Sequence, residues 1–478
     1  MAVRAAHSGG VMLRALFRVE WKSALRDGSL RALLVVFSLL VLYAAVGGAR
    51  FTKVESAAAE AAQREESAKL ESLRAELQAI AAGAPVKNAA DPRSPMQVGR
   101  ELLPRVAALP AGPLAVVAVG QRDVLPQTVL LTTKPRVLES ETSSADGPLR
   151  QSNGPFDLSF VFVFLLPLIV IALSYDLLSS ERERGTLSLV LSQPVALTRF
   201  VLSKALQRAA LLLAIVLAFA LVAPLLARAS FTAPGAPLRL ALYAGLVTLY
   251  TLFWLSLALF VNTWGRSSAA NALSLVGLWL ALLVVVPGLA SVTVDTVYPS
   301  PSRVELINLA RAAAKDAESE SSAMEGNHGK PVAADSERRA LAVQAAFESQ
   351  VAPVLRGFSE QHARQQSMVN KLRFLSPAIV LSEGLAEVAD ASVARHRDFS
   401  VQVDAYHAEL KAFFGQRAQR GAALTLADSD ALPQFRYVAP HDDDLASRVL
   451  SGLLALAAAC AALVALAVAR LRRASVAA

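Results

Sequence analysis

The sequence contains a single cysteine, Cys460, among 478 residues. One cysteine excludes a disulfide framework within the chain and any metal site built on several thiolates. Charge is also scarce: Asp, Glu, Lys and Arg make up 18% of the residues, against about a quarter in an ordinary soluble domain. Several enzyme signatures are missing. There is no Gly-x-x-x-x-Gly-Lys-Ser/Thr loop to cradle nucleotide phosphates, no His-Glu-x-x-His zinc helix and no Gly-x-Ser-x-Gly nucleophile elbow. The expectation is a chain with no catalytic centre and no bound metal or cofactor of its own, and an intramembrane protease is poorly supported.

What the sequence has instead is apolar length. Hydrophobic residues make up 54% of it, and its mean hydropathy is +0.44. Six runs, at about 32–49, 156–177, 205–227, 238–261, 270–293 and 447–469, approach or exceed the roughly 20 residues needed to cross a bilayer. Their centres lack Asp, Glu, Lys and Arg, as expected when a charge at mid-membrane costs at least about 2.5–3.5 kcal/mol. Each span must be helical, because a helix satisfies its own backbone in lipid. The first run is short and ends at Gly47-Gly48. The lead before it is too long for an ordinary signal-peptide n-region, so it reads as an uncleaved first span. Pro167, Pro224 and Pro287 fall in or near spans and mark kinks. The spans carry no charge cluster that would line an ion path.

Basic residues set the orientation. Arg4, Arg14, Arg18, Lys22, Arg26 and Arg31 precede the first run. Arg182, Arg184, Arg199, Lys204 and Arg208 lie between the second and third, Arg266 between the fourth and fifth, and Arg470, Arg472 and Arg473 after the sixth. With six alternating spans all four groups share one side, so both termini are expected in the cytoplasm. The net charge of +8 is thus better explained by topology than by nucleic acid. The expected fold class is an α-helical polytopic membrane protein with six transmembrane helices and two large, mainly helical extracytoplasmic segments. Residues 1–31 form a cytoplasmic entry helix, 50–155 the first outer segment, 178–204 a cytoplasmic loop, 294–446 the second outer domain and 470–478 a cytoplasmic tail.

Local patterns refine these parts. Val11–Leu13, Leu16, Phe17, Trp21 and Leu25 recur at helical spacing with Arg14, Arg18, Lys22 and Arg26 between them. This suits a basic interfacial helix; a simple positive-inside anchor is the alternative. In the first outer segment, 53–82 reads as a charged, solvated helix, and 114–119 and 128–131 as short strands. In the second, 302–318 and 336–372 have helical spacing, with a loop at 326–331. His396 and His407 are 11 residues apart, about 16 Å along a helix, too far for one metal ion. They read as surface or packing residues, and His441–Asp444 as a solvated acidic linker rather than a cation site. Asn262, Arg266 and Asn271, at the turn between the fourth and fifth spans, either touch a partner or cap helices.

The loop between the second and third spans carries the densest pattern. Ser180 and Glu183 have capping-box spacing, Pro194 stops a helix, and Leu187, Val190 and Leu191 share one face. A helix of about three turns follows, with Glu181 and Glu183 free for a basic partner surface. An ordinary charged loop is the plainer reading.

Residues 181–204, ERERGTLSLVLSQPVALTRFVLSK, resemble the signature of ABC-2 type permeases. In that family an acidic pair, then Gly-Thr-Leu, then Leu-Ser-x-Pro precede an Arg and a Lys at the third span. The matching residues are Glu181, Glu183, Gly185, Thr186, Leu187, Leu191, Ser192, Pro194, Arg199 and Lys204, with Arg184 between them; Ser203 stands where the family has Gly. Glu20 and Arg26-Asp27 resemble the family's entry helix. Phe374–Pro377 (with Ser376), Arg395–Phe399 (with His396) and Tyr406 resemble a subfamily carrying a DUF3526-type domain. The resemblance implies a permease subunit in a bacterial inner membrane, surrounded by lipid and with no nucleic-acid partner. It pairs as a homodimer, or as a heterodimer with a similar permease. It is powered by a separate ABC ATPase that carries ATP and Mg and docks on the 181–193 helix. Export is the expected direction. An alternative is mechanotransmission, in which the ATPase works the outer domain on an envelope partner without moving a solute. A passive anchor or receptor without an ATPase is a third reading.

Overall fold

The computed structural model describes residues 28–86, 91–135, 156–186, 192, 196–264, 267–299, 308, 311–312, 315, 333–440 and 442–476. The first run does not stop at Gly47-Gly48. Helix α1 (Gly28–Ala81) continues through both glycines for 54 residues. It joins the expected first span and the expected solvated helix into one rod about 80 Å long. Gly48 has a packing reason: the Val116 carbonyl occupies the place where a side chain would stand.

Residues 95–102 form a short helical segment, α2, ending in a π turn. Strands β1 (Arg105–Ala108) and β2 (Thr128–Leu131) pair antiparallel, with Arg105 opposite Leu131 and Ala108 opposite Thr128. The strand expected at 128–131 is present. That expected at 114–119 is not: this stretch is buried but turns on itself, with Ala115 N–H donating to the Gly112 carbonyl (3.1 Å) and Val117 N–H to that of Leu114 (2.9 Å). Its apolar character comes from lying between α1 and the next helix, where Ser159 N–H donates to the Val117 carbonyl (3.0 Å).

The second run is helical only over α3 (Leu158–Ala172), followed by turns and the short α4 (Ser179–Glu183). The remaining long apolar helices are α5 (Leu197–Leu226), α6 (Ala236–Asn262) and α7 (Ser268–Val297). After them come α8 (Ala333–Leu372), α9 (Pro377–Val388), α10 (Val393–Gln419), α11 (Leu426–Asp430) and α12 (Asp442–Val476). Among the described residues five helices, those of α1, α5, α6, α7 and α12, are long and apolar enough to cross a membrane, and α3 is a shorter apolar helix.

Helix α6 is the hub of the bundle. Its apolar window is 67% buried, against 11–33% for the other four, and it packs on α3, α5, α7, α9 and α12. Of the three prolines expected to kink spans, Pro167 and Pro287 sit beside π turns at Val161–Leu165 and Ala281–Val285, while Pro224 lies inside α5, which continues to Leu226. Proline supplies no N–H to the turn before it, and side chains fill the gap. Tyr250 Oη donates to the Val163 carbonyl (2.7 Å), four residues before Pro167. Ser376 Oγ donates to the Leu282 carbonyl (2.6 Å), five before Pro287. That second bond ties α9, which falls within the expected 294–446 segment, to α7 of the bundle. The α9 residues Val380, Leu381, Gly384, Leu385 and Val388 are buried because the helix wedges between α6 and α12.

The two long connecting segments share one core. Leu73 and Leu77 of α1, Leu103, Leu131 of β2, and Phe399, Val403, Leu410 and Phe414 of α10 pack together. This distal domain caps one end of the bundle.

Candidate functional site

At the opposite end of the bundle the loop 173–186 is held on several sides. Asn262 is buried at the end of α6. Its amide donates to the Ser174 carbonyl (3.1 Å) and accepts from Leu178 N–H (3.2 Å) and from Asn271 Nδ2 (3.3 Å). Of the two readings of this turn, the asparagines act as structural braces; Arg266 lies outside the described residues. Arg208 pairs with Asp176 (2.9 Å) and donates to the Leu173 carbonyl.

The two acidic residues of the loop are both engaged. Glu181 meets Lys204 Nζ at 3.0 Å and accepts from the Thr186 hydroxyl. Lys204 is only 7% exposed, and an ammonium so buried needs a paired anion. The Thr186 hydroxyl above all, joined by Lys204, holds the Glu181 carboxyl below the usual carboxylate range, although burial opposes them. Glu183 does not close the expected capping box: the N-cap of α4 is Leu178, and no side chain caps that end. Its carboxylate instead accepts from Ser268 N–H (2.6 Å) and Ser268 Oγ (2.9 Å). It thereby places an anion at the positive end of α7, where Ser267 is the N-cap. Ser179 Oγ also contacts Ser268 Oγ (2.8 Å).

The expected three-turn helix is interrupted. Gly185 adopts φ +72°, a left-handed conformation that ends a helix and favours glycine. Leu187, Leu191 and Pro194 lie outside the described residues, as do Glu20, Arg26 and Asp27 of the entry segment. Arg182, Arg184, Thr186, Ser192 and Arg199 are exposed. Glu183 is exposed beside them, so the described loop presents three arginines and one carboxylate outward. A lysine 23 residues away and a serine 85 away claim the carboxylates, and no local spacing reveals either. Nearby, the Arg470 guanidinium lies over the Trp264 ring at 5.4 Å, bringing the end of α12 to the same end of the bundle.

The sequence of this chain matches a family of known proteins. The family model described as ABC-2 family transporter protein covers residues 14–476. The chain belongs to the ABC-2 transporter family. A comparison with curated proteins returned no match. An ABC-2 permease is a multi-pass membrane subunit of an ABC transporter, and membership implies a partner ATPase.

In this permease the residues singled out in the second long segment do not form one site. Ser376 caps α9, accepting from Ala378 N–H (3.2 Å), and Pro377 is buried in its first turn. Phe399 stacks edge-on against Phe435 and Tyr437. Tyr406 donates to the Pro433 carbonyl (3.0 Å) and accepts from Arg105 Nε (3.2 Å), while Arg105 pairs with Glu66 of α1 (2.8 Å). The His396 ring stands 5.9 Å from Phe399, and buried His407 contacts the Lys134 carbonyl (3.0 Å). Both are packing residues. Among the described residues no three His, Cys, Asp or Glu side chains come together as a metal site; His441 lies outside them, and Asp443 and Asp444 are exposed at the start of α12.

Arg395 belongs to a joint that the sequence did not reveal. Asp390, at φ +58°, pairs through one oxygen with Arg239 in the first turn of α6 (2.9 Å) and through the other with Arg395 of α10 (2.7 Å). Arg395 also donates to the Pro110 carbonyl (2.8 Å), and Arg239 to that of Val388 (3.1 Å). One carboxylate thus ties a bundle helix to both parts of the distal domain.

Proposed function

We propose that this chain is the membrane-spanning half of an ATP-driven exporter. It pairs with itself or a similar subunit in a bacterial inner membrane, six spans crossing the bilayer and both termini in the cytoplasm. The distal domain, of the DUF3526 type, then lies on the outer side. A separate ATPase carrying ATP and Mg docks on the loop 178–204. The observation that carries this reading is the double strap of that loop: Glu181 to Lys204 on α5 and Glu183 to the start of α7. A push on the loop moves two long helices at once. The exposed Arg182, Arg184 and Arg199 suit an acidic groove on the ATPase, with electrostatics setting orientation more than affinity.

Glu181→Lys combined with Glu183→Lys is expected to abolish transport while leaving membrane insertion intact. Full transport by that variant would sink the assignment of this loop. Exchanging charges, Glu181→Lys with Lys204→Glu, separates strap from docking contact. Partial recovery over Glu181→Lys alone supports a strap, and no recovery supports direct contact between Glu181 and the ATPase.

A second reading is favoured by the Asp390 joint: the same stroke works the distal domain on an envelope partner, and no solute crosses. ATP-dependent solute flux in vesicles holding permease and ATPase would exclude this as the sole role.

A further inference from the structure

A cavity of about 1090 Å³ lies where the start of α3 meets α9, α10, α12 and the end of α8. That is just above the roughly 300–1,000 Å³ found for small-molecule sites. Its walls divide by chemistry. Phe160, Val163 and Phe164 of α3, with Val380 of α9 and Val449 of α12, make an apolar side. The other side carries ionic groups, and nearly all of them are spent within the protein. Arg373 pairs with Glu383 (3.3 Å), and Arg448 with Glu387 (3.1 Å). Asp157 accepts from Val119 N–H (2.7 Å) and Phe160 N–H (2.8 Å). Asp398 accepts from Gln402 (2.9 Å) and from the Tyr437 hydroxyl (3.2 Å). Arg397 is left: it lines the cavity, is exposed, and makes no ion pair among the described residues.

We infer that this cavity binds an anionic amphiphile, with the acyl or alkyl chain along the α3 wall and the head on Arg397. A long apolar wall has no use for a small soluble ion. One guanidinium without a carboxylate selects a negative head over a zwitterionic or cationic one, since an arginine bonded to a carboxylate or phosphate forms the stronger, charge-assisted contact. Ala394, Val393 and Val401 of α10 line the mouth and are exposed, so the cavity opens toward the level where the bundle meets the distal domain. The assignment concerns binding by this chain alone and does not rest on transport.

The test uses the full chain in phosphatidylcholine nanodiscs, without an ATPase. The probes are palmitate bearing a chain diazirine and the same chain on a trimethylammonium head; unlabelled palmitate and hexanoate serve as competitors. Photolabelling by the palmitate probe is expected at Phe160–Phe164, with palmitate competing and hexanoate not. Arg397→Glu should lower that labelling at least about tenfold, the loss of one charge-assisted bond. Because Arg397 is exposed and holds no ion pair, its replacement should leave the fold intact. Ala394→Trp, which fills the mouth, should also lower labelling. Equal labelling by the cationic probe, or labelling unchanged in Arg397→Glu, overturns the inference. So does crosslinking confined to the outward apolar face of α1, such as Val35 and Leu39. Hexanoate competing as well as palmitate would reduce the site to an anion contact and overturn the amphiphile assignment.

Discussion

Arg105 is 4% exposed, and a guanidinium so deeply placed is tolerable only while its partners stay. Its partners are Glu66, 39 residues earlier on α1, the Tyr406 hydroxyl and the Pro433 carbonyl. Removing one member of a buried pair strands the other, typically at about 3–5 kcal/mol. Glu66→Ala is therefore expected to destabilise the distal domain by about that amount, read as earlier thermal unfolding and faster proteolysis. Adding Arg105→Met should restore most of the loss. The strap at Glu181 has its own pH signature. Its carboxyl is held below the ordinary value by Thr186 and then Lys204, so the folded state binds the proton less readily than the unfolded chain. The stabilisation is then fully present above the unfolded glutamate value of about 4.3 and is lost as pH falls through the lower folded value. Hydrogen-exchange protection in 173–186, taken relative to the intrinsic rate at each pH, should stay flat between pH 7 and pH 5 and fall only below about pH 4, whereas Glu181→Gln should show the lowered protection at every pH. Neither partnership was legible in the sequence, because each joins residues too far apart for any spacing rule to connect.

The elements were more readable than the contacts. Apolar length found α5, α6, α7 and α12, since a run of uncharged residues has few other solutions in lipid. The same reasoning cut α1 too early, for Gly47-Gly48 reads as a terminus when only the chain is seen. In the structure Gly48 serves the approach of the Val116 carbonyl. Gly48→Leu should force α1 away from 114–119 and lower thermal stability by about 1–3 kcal/mol, the usual range for overpacking. Apolar run 114–119 misled in the other direction: burial alone does not distinguish a strand from a packed turn. At α3, Pro167 was legible as a local disturbance, but its remedy was not. Tyr250 makes good the bond that proline cannot. Tyr250→Phe leaves the Val163 carbonyl unsatisfied and is expected to cost about 1–3 kcal/mol, measurable by thermal unfolding in detergent. In the loop, the capping-box spacing of Ser180 and Glu183 was real, yet the N-terminus of α7 takes the carboxylate instead.

At the scale of the whole molecule, two segments whose core residues Leu131 and Phe399 lie 268 positions apart in the sequence fold into one domain around Leu73, Leu131, Phe399 and Phe414. Asp390 then ties that domain to α6. Asp390→Asn keeps the shape and removes the charge shared by Arg239 and Arg395. It is expected to leave ATPase binding unchanged while lowering transport per ATP hydrolysed by severalfold; equal stoichiometry in the variant would show that the joint is only structural.

The unbroken α1 adds a matter of gearing. Some 30 of its residues extend past Gly48, an arm of about 45 Å at 1.5 Å per residue. A tilt of about 5° at its foot sweeps the far tip through roughly 4 Å over that arm. That is an amplitude large enough to part or close a protein surface, delivered by a helix that need not bend.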